Sequence, residues 1–78
     1  MAIVRKLERL DGLINAPHTE AQCTYSIVSD DEGLRWLQVD TYGSPTRKHR
    51  GRKSQSIRFT PDAIRELRRI LNVEFAER

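Results

Sequence analysis

Residues 54–72, SQSIRFTPDAIRELRRILN, decide the fold, because they pass from a strand pattern to a helix pattern across one capping residue. Ser54, Ser56 and Arg58 alternate with Gln55, Ile57 and Phe59, the period of two that gives a strand one wet face and one buried face. Thr60 is a good N-cap, Pro61 fits the first helical position, where its missing N–H costs nothing, and Asp62 complements the positive end of the helix dipole. Ala63 stands where a full capping box would need Glu or Gln. Ile64, Leu67, Ile70 and Leu71 then fall on one stripe, with Arg65, Glu66, Arg68 and Arg69 mostly around the rest and Asn72 as the expected stop. Val73 and Phe75 lie beyond it, apolar residues that a 78-residue monomer has little means to cover.

Upstream, QCTYSIV, SDDEG and LRWLQVDTYG read as two strands joined by a polar turn that ends in Gly. Cys23, Tyr25 and Ile27 share one face of the first strand. In the second, Arg35, Leu37, Val39 and Thr41 share a face, and Trp36, Gln38, Asp40 and Tyr42 share the other. Leu37 and Val39 are the expected core pair, which sets Trp36 and Tyr42 on the opposite face. Cys23 is expected to be a small buried hydrophobe. The first fifteen residues are ambiguous: Ile3, Val4, Leu7, Leu10, Leu13 and Ile14 have helical spacing, yet Asp11-Gly12 is a turn signal in the middle of it. The competing reading is a strand over roughly residues 2–10. Residues 16–22, APHTEAQ, read as a loop.

Between the second strand and SQSIRF lies DTYGSPTRKHRGRKSQS, residues 40–56, with Arg47, Lys48, Arg50, Arg52 and Lys53 in seven positions. The chain's net charge is +3, so without those five it would be −2. Positive charge focused on a near-neutral body suits an anionic partner better than diffuse charge does. A basic track beside planar side chains is what single-stranded nucleic acid needs, phosphates on the one and bases stacked on the other. Trp36 and Tyr42 are the stacking candidates, and Arg58 adds a guanidinium from the polar face of the strand that follows the run.

Other chemistry finds little support. One Cys and two His, far apart, give no metal-ligand spacing, so no metal or other cofactor is expected. Asp30, Asp31 and Glu32 sit on a turn, where they would be solvated, and no Ser has a nearby base and orienting acid. GSPTRKHRGRK lacks the spacing and the following helix of a phosphate loop. The chain therefore reads as no enzyme, with no small-molecule substrate. A single cysteine fits a reducing compartment, and no apolar run approaches the roughly 20 residues that span a bilayer, so the expectation is cytoplasmic, without membrane. A chain this short buries only about 60 % of its unfolded surface, which favours a homodimer.

LQVDTYG, RGRKSQ, SIRF and a helix that opens Thr-Pro-Asp and ends LRRIL occur in the order found in transcriptional coactivators of the positive cofactor four type and their bacterial and phage relatives. The chain resembles that family over nearly its whole length, IVRKLERLDGLI being more loosely similar to the family's first strand and the turn after it. The resemblance implies an α+β fold, a curved antiparallel sheet of about four strands with one C-terminal helix, and binding of single-stranded or melted DNA with little sequence preference. It implies that Arg52 and Lys53 form the basic pair after the loop Gly, and that Leu67 and Leu71 meet in a dimer; Ile64 and Phe75 are expected in the same interface. Ile64 stands near the place where coactivators carry a Trp, and the loop-to-helix spacing is about two residues longer here. The alternatives carried forward are a small protein–protein interaction module, with the helix stripe, Val73 and Phe75 docking on a partner, and an RNA-binding factor.

Overall fold

In the computed structural model, residues 1–12, 15–43 and 53–76 are described, Lys53 by its backbone alone. Four strands and one helix form: β1 (Ala2–Val4), β2 (Cys23–Ser29), β3 (Arg35–Tyr42), β4 (Lys53–Phe59) and α1 (Pro61–Glu74), with sheet order β1-β4-β3-β2. This is the expected α+β arrangement of one sheet and one C-terminal helix. The sheet is mixed where an antiparallel one was expected: β2, β3 and β4 are antiparallel, but β1 pairs with β4 in parallel, Ala2 to Ile57 and Val4 to Phe59. The direction follows from where the two strands lead. β4 runs into α1, and the segment after β1 runs beside that same helix, with Arg9 Nη1 donating to Glu74 Oε1 at 3.2 Å. Val4 O also accepts from Thr60 N at 3.1 Å, at the start of the helix.

Of the two readings of the N-terminus, the strand is the one present, shortened to three residues, and residues 5–12 after it form no helix. Gly12 takes φ 115°, a conformation that Gly reaches without penalty and that fits the turn expected at Asp11-Gly12. The β2–β3 turn closes through Gly33 N to Asp30 O at 3.0 Å, with Gly33 at φ 80°. At α1 the cap works as its sequence predicts: Thr60 Oγ1 accepts from Ala63 N at 3.2 Å. The helix continues past Asn72 to Glu74 and closes with Phe75 N to Leu71 O. Its solvent side carries Asp62–Arg65 and Glu66–Arg69 pairs one turn apart.

Burial departs from the expectation for the two sheet faces, with the expected core pair Leu37 and Val39 only half-buried. Register aligns Tyr25, Val39 and Ile57 in one row and Ile27, Leu37 and Phe59 in the next, the face expected to be the core. Yet Tyr25 is 75 % exposed and Ile27 48 %, and Cys23 is exposed where a buried thiol was expected. On the other face, Gln38 and Asp40 are buried at 8 % and 3 %. Among the described residues Ala63 is the only fully buried hydrophobic side chain. Ile3, Leu10, Leu71, Val73 and Phe75 are exposed as well. A single copy therefore leaves much of its apolar surface uncovered.

Candidate nucleic-acid interface

β3 and β4 form a hairpin whose last pair is Tyr42 with Lys53, and a register shift falls between Thr41 and Tyr42. Thr41 pairs with Gln55 and Tyr42 with Lys53, so Ser54 is the extra residue of a bulge, a feature that bends a strand end and re-aims its side chains. Residues 43–52 join these two strands, which makes the basic run the hairpin's connection, tied to the sheet at both ends. Arg47, Lys48, Arg50 and Arg52 lie outside the described residues, as does the side chain of Lys53. The helix starts at the opposite end of β4.

The face that carries Tyr42 is held by hydrogen bonds rather than by apolar packing. Arg58 Nε donates to Gln38 Oε1 at 3.0 Å, and Gln38 Nε2 donates to both oxygens of Asp40 at 3.2 and 3.1 Å. Arg58 faces Gln38 in register, and Asp40 faces Ser56. The amide of Gln38 thus spends its carbonyl on a cation and its NH₂ on an anion, which fixes its orientation. Ser56 Oγ is buried with no hydrogen-bond partner. Tyr42 itself is half-buried, its hydroxyl 2.9 Å from Thr24 Oγ1 on β2, so its ring is pinned across the sheet.

Trp36 shares this face but not this place. It lies six residues from Tyr42 along β3, about 20 Å at strand rise, at the helix end of the sheet. Its Nε1 donates to Asp30 Oδ2 at 2.9 Å, while Asp30 Oδ1 accepts from the backbone of Glu32 and of Leu34, each at 2.9 Å. The Trp36 bond, helped by those two N–H groups and opposed by partial burial, holds the Asp30 carboxyl below its ordinary value. Trp36, Thr60, Pro61 and Arg65 share the lining of one cavity of about 400 Å³ there. The structure therefore brings Tyr42, Gln38 and Arg58 to one face with the basic connection at its end, and sets Trp36 apart from them.

The expected dimer residues divide in the same way. Ile64 and Leu67 are half-buried, Ile64 beside Ile27 and Leu37, whereas Leu71 is 48 % exposed and Phe75 71 %. Residues 18–21, which carried no signal in the sequence, line a cavity of about 560 Å³ with Thr41, Tyr42, Gly43, Ser54 and Gln55 at the basic end of the sheet. His18 is fixed there by a 2.6 Å contact of Nδ1 with Ala16 O. Among the described residues no three His, Cys, Asp or Glu side chains group to hold a metal, and no helix is long and apolar enough to cross a membrane. No family model, no curated protein and no solved structure matches the chain.

Proposed function

We propose that this chain is a nucleic-acid-binding module, not an enzyme, that takes single-stranded or melted DNA with little sequence preference and acts in the cytoplasm in the manner of a transcriptional coactivator. One observation carries the reading: the Tyr42–Lys53 pair closes a hairpin whose connection holds Arg47, Lys48, Arg50 and Arg52, so that with Lys53 itself five cations fall in seven positions. A basic segment tied at both ends to a sheet pays less ordering entropy on binding than a free tail does. Arg47, Lys48, Arg50, Arg52 and Lys53 neutralise phosphates, Tyr42 offers a pinned ring to a base, and Arg58 supplies a further cation on the same face. Trp36, about 20 Å away, serves as a second and separate stacking position on a strand that follows the face. Two copies of the chain act together, with Leu71 and Phe75 of α1 covered between them.

Titration of a fluorescent oligonucleotide at several salt concentrations tests the reading. Engaging about four phosphates of a single strand gives a log–log salt slope of roughly −3. The exposed apolar face of Tyr25 and Ile27 favours a second reading, a protein–protein interaction module. On that reading the triple change Arg50→Ala, Arg52→Ala, Lys53→Ala leaves function intact, whereas on the DNA reading it abolishes oligonucleotide binding in a folded protein. A base-stacking sheet is tolerant of the sugar, so RNA belongs in the same titration.

A further inference from the structure

β2 is an edge strand with none of the usual defences. It lies at the end of the β1-β4-β3-β2 order, and its residues CTYSIVS include no charge and no proline, in a chain that is 32 % charged. Natural edge strands are blunted by Lys, Pro, bulges or brevity; β2 is seven residues long and pairs with β3 without a register shift. Tyr42 N donates to Gln22 O at 3.0 Å, and Asp30 N to Leu34 O at 2.9 Å. In an antiparallel ladder, bonded residues alternate, so Thr24, Ser26 and Val28 bond to β3 and the backbone groups of Cys23, Tyr25, Ile27 and Ser29 point outward. No described residue bonds to that outer edge.

We propose that β2 pairs antiparallel with β2 of a second copy about a two-fold axis at Ser26, joining the two sheets into one of eight strands. The strand is self-complementary in this register. Cys23 then stands opposite Ser29 of the second copy, Thr24 opposite Val28, and Tyr25 opposite Ile27. Every outward N–H and C=O of Cys23, Tyr25, Ile27 and Ser29 meets an outward group, because the pairs joined are the outward ones on both sides. The side chains agree as well: Tyr25 over Ile27 is an aromatic–β-branched cross-strand pair, and no like charges are brought together. In this register the row Val4, Phe59, Leu37, Ile27 runs on into Tyr25, Val39, Ile57, Ala2 of the second copy, so one apolar row crosses all eight strands.

The pairing also closes. After it, the only edge remaining among the described residues is β1 and the part of β4 beyond it; β1 is three residues long and is followed by Arg5 and Lys6, which discourage further strand addition. The surface is separate from Leu71 and Phe75 on α1, and its test uses no nucleic acid, so it stands or falls apart from the DNA reading. Ser29→Cys puts a thiol opposite Cys23 of the second copy at a Cα separation of roughly 5.5 Å, within disulfide reach. The two Cys23 residues of the unaltered protein lie about 20 Å apart in that register. Under oxidised glutathione, Ser29→Cys is expected to run on a non-reducing gel mainly as a linked pair, and the unaltered protein as single chains. Sedimentation of Ile27→Lys, with its helical circular dichroism retained, is expected to give half the mass of the unaltered protein. An unaltered protein that sediments as a monomer at about 100 μM, or a Ser29→Cys variant that links no more than the unaltered chain, would overturn the proposal.

Discussion

Arg58 and Gln38 face each other across β3 and β4, and Arg58 Nε donates to Gln38 Oε1 at 3.0 Å while the Gln38 amide donates onward to the buried Asp40 carboxylate. A cation, an amide and an anion are thus joined in one line on the face that carries Tyr42. Replacing Gln38 by Leu withdraws its amide's two hydrogen bonds to Asp40 and leaves Arg58 without this acceptor. The loss of hydrogen bonds to a buried charge costs about 1–3 kcal/mol. Urea unfolding of Gln38→Leu is expected to show a lower midpoint, with a loss of that size.

Tyr42 is held by Thr24, not by Trp36, and its ring is the proposed base contact. Stacking of one base is worth roughly 1–3 kcal/mol by alanine substitution. Tyr42→Ala is expected to weaken oligonucleotide binding about tenfold or more at fixed salt. Tyr42→Phe, which keeps the ring and gives up the 2.9 Å bond to Thr24 Oγ1, is expected to retain most of it.

The pH dependence of the β2–β3 turn follows from Asp30. Its carboxyl lies below the ordinary value of 3.8, chiefly because Trp36 Nε1 donates to it. In acid the unfolded chain takes up this proton before the folded chain does, so the carboxylate's contribution is fully present above 3.8 and is lost as pH falls through the depressed folded value. Trp36 is the only tryptophan, so its emission reports this bond directly. Acid titration of the fluorescence is expected to show a transition below 3.8 that is absent in Asp30→Asn.

Thr60 caps α1 from a nearly buried position, 5 % exposed, and also takes Val4 O through its own N–H. Thr60→Ala removes the side-chain acceptor for Ala63 N and is expected to cost about 0.5–2 kcal/mol, whereas Thr60→Ser is expected to be close to neutral. Thermal melts of the two variants, followed by circular dichroism, check this.

What the sequence made legible was local. SQSIRF and TPDAIRELRRIL each carry a complete signal, a period, a cap and a stripe, and both elements form; Asn72 misplaced the helix end by two residues because Asn tolerates a helix interior. β1 was hidden by its three-residue length, too short for any period, and its parallel direction depends on where the chain runs next. Alternation told which residues share a sheet face but not which face is covered. Gln38 and Asp40 are buried because they satisfy each other and Arg58, while α1 brings Ile64 beside Ile27 without burying it and leaves Tyr25 exposed. Trp36 and Tyr42 were correctly placed on one face, but parity carries no distance, and the six residues between them separate the two ends of the site.

Anisotropy titration of a labelled single-stranded oligonucleotide, at several salt concentrations, with the unaltered chain and with Arg50→Ala, Arg52→Ala, Lys53→Ala, tests the central claim most directly. The account predicts a log–log salt slope of roughly −3 for the unaltered chain, and loss of binding in the triple variant with its helical circular dichroism unchanged. Binding that is absent, indifferent to salt, or equally strong in the triple variant would contradict it.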